Sequence, residues 1–204
     1  MYIPPAFDET DLHALHAFIE RHSFGLLVSQ HDGAPLATHM PFLLERESGR
    51  FGALLGHIAR ANPQWRQCGE QTVMAVFSGP HAYVSPTWYE AEQVVPTWNY
   101  AAVHVYGRVR LIDDQQGLYE IVRRSVDEYE RSLPKPWSLG ERDTFVDRLL
   151  LQIIGIRLEI ERIEGKFKLS QNHSAERREK VMRALAAQGG EGSRAIAELM
   201  RERE

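Results

Sequence analysis

Cysteine is all but missing from this chain. Its 204 residues include one, Cys68, so no internal disulfide can form, and a reducing compartment is the expectation. Long apolar runs are missing too. Nothing approaches the roughly 18 residues that a membrane-crossing helix needs. The opening MYIPPAF has neither the basic lead nor the apolar stretch of a secretory signal. A cytoplasmic protein with no membrane partner is therefore expected. Neither sign of charge dominates: the net charge is −4 with 25% charged residues, which weakens the case for a generic nucleic-acid binder and leaves room for a local basic patch. Glycine-rich phosphate loops, GxSxG and HExxH are all absent. The nine histidines lack the spacing of a metal-ligand set, so no metal site is expected.

What is present is enough apolar residue, 43%, for one core of ordinary size. Residues 8–22 place Leu12, Leu15, Phe18 and Ile19 on one stripe, which predicts a helix. Strands follow at Phe24–Ser29 and Ala34–Glu45, joined by an Asp32-Gly33 hairpin turn, and at Phe51–Ile58. TVMAVFSG reads as a central strand, HAYVS as a short extended piece, and TWNYAAVHVYGRVRLID as a long strand with a bulge near Gly107. The period then changes to that of a helix over 115–132 and again over 141–150. Alternation returns in IIGIRLEIERIEGKFKLSQ, and helices are predicted over 174–187 and 193–204. Hairpin-linked strands followed by helices predict a mainly β protein, antiparallel, with added helices. The expected division is a β domain over 1–172 with inserted helices, and a helical extension over 173–204.

Four stretches carry possible chemistry. GHIARANPQW brings His57, Arg60 and Asn62 together where a strand ends. Arg can grip a phosphate with two parallel bonds, but an ordinary turn with Asn62 as a cap explains the same residues. In THMPF, Pro41 removes a ladder donor, which fits an approaching ligand or plain edge protection. Trp98, Asn99 and Tyr100 suit a flat heterocycle and suit a subunit interface equally. In EGKFKLSQN, alternation sends Lys166, Lys168 and Ser170 to one face and Phe167 and Leu169 to the other. The tail from His173 holds seven Lys/Arg against six Glu, a poor phosphate-binding balance, so a packing or dimer-contact hairpin is favoured over a recognition helix.

The ordered set MYIPPAF, THMPF, GHIARANPQW, VSPTWY, VPTWNYAAVHVYG and EGKFKLSQN resembles the PaiB-type negative transcriptional regulators, from residue 1 to about residue 185. These belong to the FMN-binding split-barrel group, with the pyridoxamine-phosphate-oxidase-like proteins. The resemblance implies a six-stranded antiparallel split barrel, a homodimer with FMN or a related phosphorylated ligand between subunits, and a part in transcriptional repression, with DNA as a weakly supported partner. It also implies site residues. His57, Ala59, Arg60 and Asn62 match the segment that holds the flavin phosphate. Thr38, His39 and Met40 match the strand beside the ribityl chain and ring. Trp98 and Asn99 match the part near the partner subunit, and Lys168, Gln171 and Asn172 match the closing polar segment. Where split barrels usually carry Gly-Arg-Lys, this chain has ARAN. Two other readings stand beside this one: an FMN-dependent oxidoreductase acting on a small molecule, with no catalytic acid or base evident in the sequence, and a haem-binding split barrel.

Overall fold

A computed structural model describes residues 1–203. The helix expected over 193–204, and the extension over 173–204, each end on Glu204, which lies outside the described residues. The elements follow the pattern of the sequence closely. In chain order they are β1 (Asp8–Glu9), α1 (Leu12–Arg21), β2 (Phe24–His31), β3 (Ala34–Pro41), β4 (Leu43–Glu45), β5 (Ala53–Ala59) and α2 (Trp65–Cys68). Then come β6 (Thr72–Val84), β7 (Thr97–Ile112), α3 (Gln115–Glu130), α4 (Thr144–Leu150), β8 (Ile153–Lys168), α5 (Ala175–Gln188) and α6 (Glu191–Arg201). The two stretches TVMAVFSG and HAYVS are one strand, β6, which runs straight through Pro80.

The strands join in the order β3-β2-β6-β7-β8-β5-β4, with β1 pairing to β8. Pairing is antiparallel for β2 with β3 and β6, for β5 with β4 and β8, and for β1 with β8. This corrects the expected barrel of six strands: among the described residues there are eight, in an open hydrogen-bond path that ends at β3 and β4. The physical cause lies in one dipeptide. The Phe42 N–H makes the last bond on the β2 side, to the Ser23 carbonyl at 2.9 Å, and Pro41, whose nitrogen faces the opposite edge, has no N–H to give there. The stretch expected as a single strand over 34–45 therefore breaks in two. Its first part pairs with β2 (His39 opposite Leu26) and its second with β5 (Leu43 opposite Leu55).

The chain forms two compact units. The strand-rich unit comprises Ile19–Phe77 and Val105–Ile163; the terminal unit comprises Met1–Phe18, Ser78–His104 and 164–203. In the strand-rich unit, Phe42 and Phe77 meet edge to face at 5.5 Å among fully buried Leu27, Leu54, Ile156 and Leu158. Asp114 and Asp143 cap α3 and α4 by accepting from the N–H groups of Gly117 and Val146. The two helices meet through Leu118, Val146 and Leu150. Glu45 at the end of β4 accepts from Arg124 of α3 and Arg157 of β8, which pins this short strand at both sides. In the terminal unit, α1 and β8 meet through Phe18 and Phe167, 5.2 Å apart. Ser174 caps α5, Gly189 ends it at φ 83°, and α6 turns back to bury Ile196, Ala197 and Met200. No helix among the described residues is long and apolar enough to cross a membrane.

Gly107 shows why β7 needs a glycine at its middle. A Cβ there would sit 1.9 Å from the Glu159 carbonyl oxygen on β8. The residue marks a close backbone approach within an unbroken strand, not the bulge expected. Gly107→Ala is expected to destabilise the protein by about 3 kcal/mol, the upper range for overpacking against backbone, measured by urea unfolding.

Candidate functional site

In the strand-rich unit, the end of β5 and the segment after it are tied down at nearly every polar atom. The Arg60 backbone N–H donates to the Gln152 carbonyl at 2.8 Å, and the Asn62 N–H to that of Ala59 at 2.9 Å. Asn62 Oδ1 accepts from the Gln64 N–H at 3.0 Å, the local bond that an Asn before Pro favours. Asn62 Nδ2 donates to Thr38 Oγ1 at 2.8 Å, and the Thr38 hydroxyl donates to Gln64 Oε1 at 2.5 Å. Gln64 is fully buried and its Nε2 reaches the carbonyls of Leu27 and Leu36 at 3.1 Å and Ser29 Oγ at 3.0 Å. The Trp65 indole N–H donates to the Arg60 carbonyl at 2.9 Å. Thus Thr38 and Asn62, expected at the cofactor, are brought together by Gln64, a residue that sequence reasoning missed. The only signal was its place after Asn-Pro, which says nothing of burial.

Arg60 is aimed by two backbone carbonyls. Its Nε donates to Leu151 at 2.8 Å and one terminal nitrogen to Ile153 at 3.1 Å. Its forked edge meets the Asp113 carboxylate, which that contact holds below the usual carboxylate range. Asp113, at the end of β7, was also missed by sequence reasoning. Ala59 is exposed, and His39 is exposed and stacked on Phe24 at 6.2 Å. Met40 is 2% exposed and points its methyl at Gly56, so it belongs to the core. His57 Nδ1 is buried with no hydrogen-bond partner among the described residues, and burial holds its imidazole below the ordinary value.

The terminal unit gathers a second group. A cleft of about 180 Å³ is lined by Tyr89, Val95, Asn99, Lys168, Asn172 and His173, among others. Lys168 Nζ donates to Thr97 Oγ1 and, at 2.9 Å, to the Trp98 carbonyl. Burial, and then the neighbouring Lys166, lower its affinity for its proton. Asn99 is fully buried, and its Nδ2 donates to Ser170 Oγ at 3.0 Å. Ser170 is itself 3% exposed at φ 64°, so it leaves the lysine face that simple alternation would give it. Gln171 turns inward: its Oε1 accepts from the Leu169 N–H and its Nε2 donates to the Phe167 carbonyl. Trp98 is 53% exposed, with His81 and Tyr83 about it at 6.0 and 5.9 Å. No group of three or more His, Cys, Asp and Glu among the described residues is arranged to hold a metal ion.

The architecture recurs in solved structures. The flavocytochrome Anf3 of Azotobacter vinelandii aligns with a TM-score of 0.58 at 17% identity, covering 79% of this chain and 69% of that one. The FAD and heme binding protein of Mycobacterium smegmatis aligns with a TM-score of 0.58 at 17% identity, covering 90% and 80%. These likenesses establish the fold. Sequence goes further: residues 1–162 match the family described as "Putative FMN-binding domain". The chain is also 34% identical, over all of its length and 98% of the other's, to the "Protease synthase and sporulation protein PAI 2" of Bacillus subtilis. An uncharacterized protein of Aspergillus fumigatus is 30% identical over all of this chain and 97% of its own length. The chain belongs to the FMN-binding domain family, in its PaiB-type branch, and FMN is the cofactor that this membership assigns to it.

The residues fit that cofactor in kind. FMN presents a phosphate, a polyhydroxy chain and a flat ring. The Asp113 carboxylate on the forked edge of Arg60 stands in for an oxyanion and shows that the edge takes one. The cleft in the terminal unit offers an ammonium beside amide, hydroxyl and aromatic groups. At about 180 Å³ it has room for only part of such a ligand, since a whole ligand of this size takes roughly 300 Å³ or more.

Two outcomes are expected. Gln64→Ala leaves several buried polar groups unpaired and lowers stability by about 3 kcal/mol in urea unfolding. His57 resists protonation in the folded state, so its share of stability is complete above the ordinary value of 6.5 and is lost as pH falls below it. The slope of stability against pH between about 7 and 5 should accordingly flatten in His57→Gln, followed by thermal melts at each pH.

Proposed function

We propose that this protein is an FMN-binding homodimer that acts in negative transcriptional control. The observation that carries the reading is its 34% identity, end to end, with the PAI 2 protein, whose name links it to protease synthesis and sporulation. The site residues proposed are those expected from sequence. Arg60 takes the phosphate, with His57, Ala59 and Asn62 shaping the segment around it. Thr38 and His39 lie on the strand beside the ribityl chain and ring, with Met40 backing that strand from the core. Trp98, Asn99, Lys168, Gln171 and Asn172 supply a flat face, an ammonium and amides, and a second copy of the chain completes the enclosure.

What these side chains do follows from their chemistry. The bound FMN would supply a redox-active ring. The chain's own part is to neutralise the phosphate with cations that carbonyls have already aimed, and to exclude water from the ring with Trp98 and its aromatic neighbours. Control of transcription through direct, tight DNA contact is disfavoured by the tail's charges. Three of its seven cations are paired, Lys180 with Glu90 and Glu176, Arg183 with Glu179 and Arg203 with Glu9, and its six Glu nearly balance the seven, so little net positive charge is offered to DNA.

Titration of FMN into the purified protein is expected to quench flavin fluorescence with saturation below tens of micromolar, and light scattering to give twice the chain mass. A spectrum without flavin and a titration without quenching would remove the cofactor from the proposal. For the regulatory part, transcripts that rise in a strain lacking the gene should fall again on complementation. An unchanged transcript profile would end that part alone.

A further inference from the structure

We infer that Asp113 is an internal competitor for the anion-binding edge of Arg60 and so sets how tightly the protein holds a phosphate. The inference rests on the proposal that Arg60 takes the phosphate of FMN.

Three features of the structure carry it. First, the guanidinium is oriented without Asp113. The Leu151 and Ile153 carbonyls take its Nε and one terminal nitrogen at 2.8 and 3.1 Å. Withdrawal of the carboxylate would leave the forked edge aimed as it is. Second, Asp113 occupies that edge with both oxygens, each on a different terminal nitrogen. This is the two-point geometry that suits a phosphate as well as a carboxylate. Third, the pair is open to water: the Asp113 side chain is 62% exposed and that of Arg60 34%. Such pairs are weak, and an arriving dianion brings more charge than the carboxylate it displaces.

Among the described residues, the Asp113 carboxylate meets Arg60 and no other side chain. β7 ends one residue earlier, at Ile112, and the cap of α3 is the neighbouring Asp114. The carboxylate is thus free to swing into solvent when a phosphate takes the guanidinium. In its absence from the edge, Arg60 would keep a permanent opening for any oxyanion. With it, only a ligand that gains from further contacts competes well.

The experiment is a fluorescence titration of FMN and of riboflavin, which lacks the phosphate, into wild type, Asp113→Asn, Arg60→Gln and the double variant. Thermal melts show that each is folded, with Asp113→Ser as a second substitution if Asp113→Asn melts early. Asp113→Asn should bind FMN about fivefold more tightly, the upper range for release of an exposed pair, with riboflavin unchanged. Arg60→Gln should lose the preference for FMN over riboflavin, and the double variant should match it. If Asp113→Asn binds FMN no better than wild type while Arg60→Gln loses the preference, competition is refuted and the phosphate role of Arg60 stands. If Arg60→Gln keeps the full preference, the phosphate role fails and the competition with it. Absence of FMN binding by both wild type and Asp113→Asn would overturn both.

Discussion

Twelve residues from Ala34 to Glu45 serve two neighbours at once, and the rest of the fold depends on how they do it. A strand has two edges, and each edge can pair along its whole length. Here the β2 side ends with the Phe42 N–H on the Ser23 carbonyl, Pro41 leaves the opposite edge without a donor, and pairing with β5 begins at Leu43. The two ends of the hydrogen-bond path are therefore consecutive in the chain. Phe42 itself goes into the core against Phe77. Thr38, His39 and Met40 all lie before the break, on the part paired with β2, and Met40 packs against Gly56.

Much of this was legible in the sequence because local rules decide it. The Asp32-Gly33 turn, with both residues at positive φ (50° and 79°), is written in its residue types. So are the amphipathic stripe of α3 and the alternation of β8 with Phe167 inward. What escaped was whatever depends on contacts distant in sequence. The expected single strand leaves its first partner where β2 begins, at Ser23 and Phe24, with Ser23 nineteen positions before Phe42. Ser170 obeys alternation in the sequence but turns to φ 64° because Asn99 waits for its hydroxyl.

The candidate site shows the same division. That Arg60 and Asn62 lie together at a strand end could be read directly. That Asn62 and Thr38 share one network through a buried Gln64, and that Asp113 faces Arg60, could not, because the partners are 26 and 53 positions apart. Of the two readings of the GHIARANPQW segment, the ordinary turn is the one its hydrogen bonds describe. The anion-binding one stands as the proposal for Arg60, whose forked edge carries Asp113 and whose other side is fixed by backbone carbonyls, so that it would lose little freedom to a ligand.

The bond from the Trp65 indole to the Arg60 carbonyl gives this segment its own optical probe. Indole emission overlaps flavin absorption, so a bound flavin would draw energy from a tryptophan close to it. The ring also lies under the Arg66 guanidinium, 5.6 Å from its centre, which makes its emission sensitive to the charge around it. Seating of FMN at Arg60, as proposed, would therefore show as a loss of indole emission, with no label added.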